Sequence, residues 1–225
     1  MANTAAAVIT LCLPLFLTAT VLRAEINEPR LYHWSISQPQ VLNITGISQT
    51  ELEQACRRLI AYFNLEVASP QMEVTRHGTK VPLFTERELL HLEDVRDLVQ
   101  LDYRIGKLTG LIIATCLVII LLTPRPARKA GAALLCGSSL TLVLTSAFAI
   151  ASIADFDWLF WQFHVVSFSN LLWQLDPAHH HLIQMFPQRF WYAAAMIAIG
   201  LITVCAIGIL VLGRWLVRSA REIPR

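Results

Sequence analysis

Phe160–Pro187 reads FWQFHVVSFSNLLWQLDPAHHHLIQMFP. It follows closely on Trp158 and gathers Trp161, Phe163, Phe168 and Trp173, with His164 among them and Asn170 and Asp176-Pro177 further on. Aromatic side chains concentrate where lipid meets water. The stretch is too polar to span a bilayer and too aromatic for an ordinary water-facing loop. It is therefore expected to lie in the interface and to hold His164 there. Taken alone, an anchoring belt with a hydrogen-bonded histidine would explain it equally well, so the rest of the chain has to decide.

Working outward, the stretch joins two apolar segments, Gly131–Ala154 and Ala193–Leu212. The chain has 225 residues, 55% hydrophobic and 15% charged. Its apolar residues come in blocks, which marks a membrane protein rather than a soluble core. Leu108–Leu122 is a further span, and Thr4–Leu22 is the first. Thr4–Leu22 lacks the basic start of a signal peptide, and Leu22-Arg23-Ala24 is a poor cleavage site, so it is read as a retained helix. The loop Pro124–Lys129 is basic, and the tail 213–225 carries Arg214, Arg218, Arg221 and Arg225. The positive-inside rule puts both in the cytoplasm. The regions 25–106 and 155–190 then share the outer face. The expected fold is an α-helical membrane protein with four transmembrane helices (4–22, 108–122, 131–154 and 193–212). A small α+β extracytoplasmic region separates spans 1 and 2, and an aromatic interfacial loop separates spans 3 and 4.

Several function classes recede on composition. None of these spans carries a charged residue, which counts against an ion pathway or pump. The formal net charge is +2 with no basic run beyond a short loop, so nucleic acid is not an expected partner. Of five cysteines only Cys56 lies outside the apolar segments and no CxxC occurs, so cysteine usage signals neither metal nor redox chemistry. Cys56 is expected to react with a thiol reagent from outside unless the outer fold buries it.

Within the outer region, Leu31–Ile36 alternates Tyr32, Trp34 and Ile36 on one side and reads as a strand. Ser48 and Glu51 form a capping box ahead of a stripe of Leu52, Cys56, Leu59, Ile60 and Phe63, which predicts a helix to about Asn64. Met72–Phe84 reads as a hairpin turning at His77-Gly78. His33 and His77 are taken as polar surface, and Asn43-Ile44-Thr45 as a chance match to a glycosylation acceptor. Thr85 and Glu88 form a second capping box, opening a helix on which His91 and Asp94 share a face. No proline interrupts that helix before Pro124. Run straight, it would lift His91 about 25 Å above Leu108. A bend or tilt near Gly106, or a His91 segment lying flat on the membrane, is therefore expected.

Glu88-x-x-His91-x-x-Asp94-Val95 on a capped helix, then Phe160-x-x-Phe163-His164 with Asn170, Trp173, Asp176-Pro177 and Pro187, occur in this order between spans placed this way. The combination resembles the bacterial lipoprotein intramolecular transacylase family. Glu93 departs from the pattern, and the triple His179-His180-His181 is not part of it. The resemblance implies an integral membrane acyltransferase whose partners are diacylglyceryl-modified lipoproteins. It would move the acyl chain from the middle glycerol oxygen to the amine of the N-terminal cysteine, leaving a lyso-form lipoprotein, with no cofactor or metal.

The residues suit that chemistry. An α-amine has a pKa of about 8, and histidine is the side chain best matched to handle its proton near pH 7. Closure passes through a ring of about eight atoms, so orientation is where a protein gains most. His91 is expected to act as general base and acid, oriented by Asp94. His164 is expected to shuttle a proton or stabilise the oxyanion, with Asn170 as a donor. Phe163, Phe168, Trp173 and Asp176 would bind substrate, the aromatics by seating acyl chains. Surface histidine runs are usually solvated, so exchanging His179, His180 and His181 for glutamine is expected to be tolerated. Three alternatives stay open on residues alone: a zinc-dependent membrane hydrolase, a non-enzymatic binding or assembly protein, and an acyltransferase drawing its acyl group from a separate phospholipid.

Overall fold

The computed structural model describes residues 2–222. The tail residue Arg225 lies outside the described residues, as does the side chain of Arg221. In order, the elements are α1 (Ala2–Ile26), α2 (Pro29–Ile36), α3 (Pro39–Thr45), α4 (Gln49–Phe63), β1 (Glu73–Arg76), β2 (Thr79–Pro82), α5 (Glu86–Leu121), α6 (Pro126–Ala154), α7 (Phe156–Ser167), α8 (His181–Met185) and α9 (Gln188–Glu222). They group into two compact units, each taken by itself below.

Among the described residues the first unit comprises 2–23, 102–154 and 196–222. It holds the apolar stretches of α1, α5, α6 and α9, the four described helices long and apolar enough to cross a membrane. Ala5, Ile9, Cys116, Ile120 and Ala133 pack in one buried cluster, Leu13, Leu17 and Ala206 in a second, and Val21, Ala198 and Ile202 in a third. Small residues let the backbones approach, as is usual in membrane packing. A Cβ on Gly131 would come within 2.8 Å of the Gly213 carbonyl oxygen, and one on Gly213 within 2.9 Å of the Gly131 carbonyl oxygen. Leu111, Val143, Ile150 and Val204 stay exposed, as side chains that meet lipid would. Helices α1, α6 and α9 run past the bounds read from the sequence. The basic residues Arg128 and Lys129 lie in the first turn of α6, and the tail continues α9 as helix to Glu222. α5 is one uninterrupted helix through Gly106.

The second unit comprises Ala24–Leu101 and Asp155–Ala195. Its two capped helices form as the sequence implies. The Ser48 hydroxyl accepts from Glu51 N at 3.3 Å and opens α4, and Leu52, Cys56, Leu59 and Phe63 are buried. The hairpin pairs Val74 with Val81. His77 (φ 48°) and Gly78 (φ 82°) both take the left-handed backbone that a two-residue hairpin turn of matching twist requires.

Leu31–Ile36 is a correction: it is helical, not a strand. Pro29 occupies the first turn, and the Glu28 carboxylate caps the helix by accepting from Arg30 N. Tyr32, Ser35 and Ile36, spaced three and four apart, are the residues that turn inward. A short run of alternating aromatics fits either period, and packing of α2 on α4 decides it here. The acceptor-like Asn43-Ile44-Thr45 ends α3, and the buried Thr45 hydroxyl donates to the Val41 carbonyl at 2.7 Å. Residues 155–190 are not simply a loop, since α7 and α8 occupy much of that stretch. Cys56 is buried at 5% exposure and its thiol is pushed up to about 12 by desolvation, so it is not a labelling site.

Candidate active site

Four hydrogen bonds fix the start of α5. The Glu88 carboxylate accepts from Thr85 N at 2.7 Å and from the Thr85 hydroxyl at 2.8 Å, while Glu88 N donates back to Thr85 Oγ1 at 3.4 Å. The other Glu88 oxygen accepts Leu182 N, on α8, at 2.7 Å. Glu88 is fully buried. One turn further along α5, His91 is buried too, and three residues beyond it stands Asp94.

His164 comes from α7. The Asp155 carboxylate caps that helix by accepting from Trp158 N at 2.9 Å. His164 Nδ1 lies 2.7 Å from the Phe160 carbonyl oxygen, one turn back. A carbonyl can only accept, so Nδ1 carries the proton and, in the neutral ring, Nε2 presents a lone pair. The His91 and His164 rings face each other with centroids 6.2 Å apart and planes at 33°. Phe168 meets His91 edge-on at 5.2 Å, Phe160 meets His164 edge-on at 4.5 Å, and Trp173 lies 4.9 Å from His164. Phe163 touches both His164 and Phe168 from the rim and is half exposed.

The segment after α7 is fastened to α5. The Asn170 amide donates to Asp94 Oδ2 at 2.8 Å, its own oxygen accepts Leu172 N at 2.9 Å, and its carbonyl accepts the Trp173 indole at 2.9 Å. The Arg87 guanidinium donates to the Leu171 carbonyl. Asn170 therefore ties the segment down through Asp94. Among the described residues no hydrogen bond joins Asp94 to His91, so Asp94 acts on His91 through its charge. Among the described residues the buried His91 Nδ1 has no hydrogen-bond partner, so no bond there pins its tautomer as Phe160 pins that of His164.

Both histidines are harder to protonate than a free imidazole. His91 lies in the part of α5 that precedes the apolar stretch from Leu108. Burial and the nearby His164 push it down to about 4, against a smaller opposing pull from Asp94. Burial likewise lowers His164, opposed by its bond to the Phe160 carbonyl. At neutral pH the pair is uncharged: a weak base whose conjugate acid would be a strong proton donor.

Asp176 sits apart from these contacts. It is exposed, and its oxygens accept Ala178 N at 2.9 Å and His179 Nδ1 at 2.7 Å, bonds that hold its carboxyl below the usual range. The triple histidine splits. His179 is at the surface and His180 is partly exposed, whereas His181 is buried, with Nδ1 2.6 Å from the Leu83 carbonyl oxygen. The reading of all three as solvated is corrected for His181. The sequence motif includes Phe160 without giving it a role in the site, and it gives none to Arg87. For Phe160 a signal was available, since a helical histidine can reach the carbonyl four residues back. For Arg87 there was none, because its partner lies 84 residues away. No group of three His, Cys, Asp or Glu side chains suited to hold a metal ion occurs among the described residues.

A family model described as lipoprotein intramolecular transacylase Lit matches residues 7–191. A search of curated proteins gave no match. Among solved structures, the membrane-integral lipoprotein intramolecular transacylase Lit from Bacillus cereus superposes with a TM-score of 0.83 at 22% identity, covering 99% of each chain. Structures of that Bacillus cereus protein with a histidine-to-alanine or a histidine-to-arginine mutation superpose with TM-scores of 0.79 and 0.77, each at 21% identity. They cover 99% and 98% of this chain, and 96% and 94% of theirs. At this identity the superpositions speak to the fold, and the family match, which takes in most of the sequence, makes this chain a member of the lipoprotein intramolecular transacylases, membrane-integral acyltransferases.

Proposed function

We propose that this transacylase works through His91 and His164 on a diacylglyceryl lipoprotein held at the outer membrane face. The observation that carries the reading is the pair of buried imidazoles facing each other at 6.2 Å inside an aromatic shell. The free amine of the N-terminal cysteine attacks the carbonyl carbon of the ester at the middle glycerol oxygen. A C–N bond forms, the C–O bond breaks, and one proton must travel from nitrogen to the departing oxygen. His91 takes the proton from the nitrogen of the tetrahedral intermediate, where it is far more acidic than on the parent ammonium. Its low proton affinity then makes it a ready donor to the leaving glycerol oxygen. His164, with Nδ1 spent on Phe160, offers Nε2 as the second station for that proton. Asp94 supplies negative charge beside the transient imidazolium. Asn170 acts by holding the segment that carries Phe168 and Trp173 in place. Phe163, Phe168 and Trp173 form the apolar wall for the acyl chains, and no structural support attaches to Asp176 as a substrate contact.

Membrane lipid fits the same unit. Trp158, Trp161 and Val166 of α7 and the following Leu171 are all exposed, with Val166 at 85%. An apolar helix face rimmed by tryptophan suits the lipid boundary. Sidedness can be read with introduced cysteines, since Cys56 is sealed. Lys80→Cys, at a hairpin position whose side chain is 78% exposed, should react with a membrane-impermeant maleimide in intact cells. Arg128→Cys should react only after permeabilisation. The reverse pattern would put the histidines on the cytoplasmic side.

The reaction is tested by giving purified protein a diacylglyceryl lipopeptide without added phospholipid. The intact mass should not change, while fragmentation should show one acyl chain on the cysteine nitrogen and one left on glycerol. A product lighter by one fatty acid would mean hydrolysis, and a heavier one would mean transfer between molecules.

A further inference from the structure

We infer that His181 is a positioning residue for His91, acting through the first turn of α5. The inference rests on the site reading given above. His181 Nδ1 donates to the carbonyl of Leu83, two residues ahead of the Thr85 cap, at 2.6 Å. The next residue, Leu182, donates its backbone N–H to the buried Glu88 carboxylate at 2.7 Å. Two adjacent residues of α8 thus grip the start of α5 on both sides of its cap, at 83 and at 88. His91 follows Glu88 by three residues and shares its face of the helix.

α8 cannot hold this position by itself. It spans only five residues, too few for a helix to be stable alone. Its other end is held by Ser35, whose hydroxyl donates to the Met185 carbonyl at 2.7 Å. Losing the His181 bond would leave the near end of α8 on the Leu182–Glu88 bond alone and the Leu83 carbonyl without this donor. The start of α5 would then settle differently, and His91 would ride with it. Displacing a reacting group by about 1 Å can cost on the order of a hundredfold in rate. Among the described residues no hydrogen bond or ring contact joins His181 to either histidine of the pair, and a role in placing His91 puts its effect on the catalytic step rather than on binding.

The geometry of the side chain supplies the test. The amide nitrogen of asparagine stands as many bonds from Cβ as Nδ1 of histidine, and that of glutamine as many as Nε2. His181→Asn should therefore keep most of the wild-type kcat. His181→Gln and His181→Phe should lose about ten- to a hundredfold in kcat with little change in KM. Thermal unfolding and His91→Ala are measured alongside. A fully active His91→Ala protein would refute the site reading itself. With His91→Ala inactive, wild-type kcat in the Gln and Phe variants would overturn the positioning role and leave the site standing. An Asn variant as impaired as the Gln variant would also overturn it. So would losses in all three that simply track lost thermal stability, since these would assign His181 to the fold alone.

Discussion

Replacing His91 or His164 with alanine should lower kcat about a hundred- to ten-thousand-fold, the usual range for a general acid–base residue. The protein should still reach the membrane and fold, because among the described residues neither ring is a hydrogen-bonded bridge within the unit: the ring hydrogen bond of His164 is local to α7, and His91 Nδ1 makes none. Steady-state kinetics on a lipopeptide in detergent, with thermal unfolding beside it, separates lost chemistry from lost fold. A variant at either position with more than about a tenth of wild-type kcat would remove that histidine from the mechanism.

The pH profile carries the same assignment. His91 is held near 4, so it stays deprotonated through the neutral range. The rate should then follow the free fraction of the substrate amine, falling about tenfold per pH unit below about pH 8. His91 itself should add a further fall only near pH 4. A second inflection near pH 6.5 would mean that an ordinary, solvated histidine is at work. The stability sign follows from the same shift. The unfolded chain, with an ordinary imidazole, binds the proton that the folded protein refuses. Stability is therefore fully present above about pH 6.5 and is lost as the pH falls from there toward about 4.

The largest stability effect is expected at Glu88. Its carboxylate is fully buried and accepts bonds from Thr85 N, the Thr85 hydroxyl and Leu182 N. Hydrogen bonds to a charged group contribute about 1.5–3 kcal/mol each, and both backbone donors would be left unpaired in the interior. Glu88→Ala should therefore cost about 3–5 kcal/mol, read by denaturation in detergent. Hydrogen exchange at Leu182 should quicken in the same variant. A cost below about 1 kcal/mol would show that the start of α5 and α8 are held together by packing rather than by this carboxylate.

What the sequence revealed and what it hid divide along physical lines. Spans, caps and the hairpin were legible because each is written in neighbouring residues: a run of apolar side chains, Ser48 three before Glu51, Thr85 three before Glu88, His77 beside Gly78. The pairing of His91 with His164 was legible from order and character combined with the resemblance. α2 was misread because Tyr32, Trp34 and Ile36 satisfy a period of two by accident, while the buried set Tyr32, Ser35 and Ile36 follows a helix. The bond from Asn170 to Asp94 joins residues 76 apart, and the one from His181 to Leu83 joins residues 98 apart. No local pattern announces such contacts. Three histidines in a row look alike in sequence, and only the path of the chain decides that the third turns inward.

The central claim is that His91 and His164 form one working unit. It is tested most directly by the kcat of the double variant His91→Ala/His164→Ala compared with the two single variants on the same lipopeptide. Residues that serve one proton path are strongly non-additive, because losing either breaks the path. The account predicts a double variant no slower than the worse single variant, within a small factor. A double variant whose loss equals the product of the two single losses would show two independent contributions and would contradict the shared path.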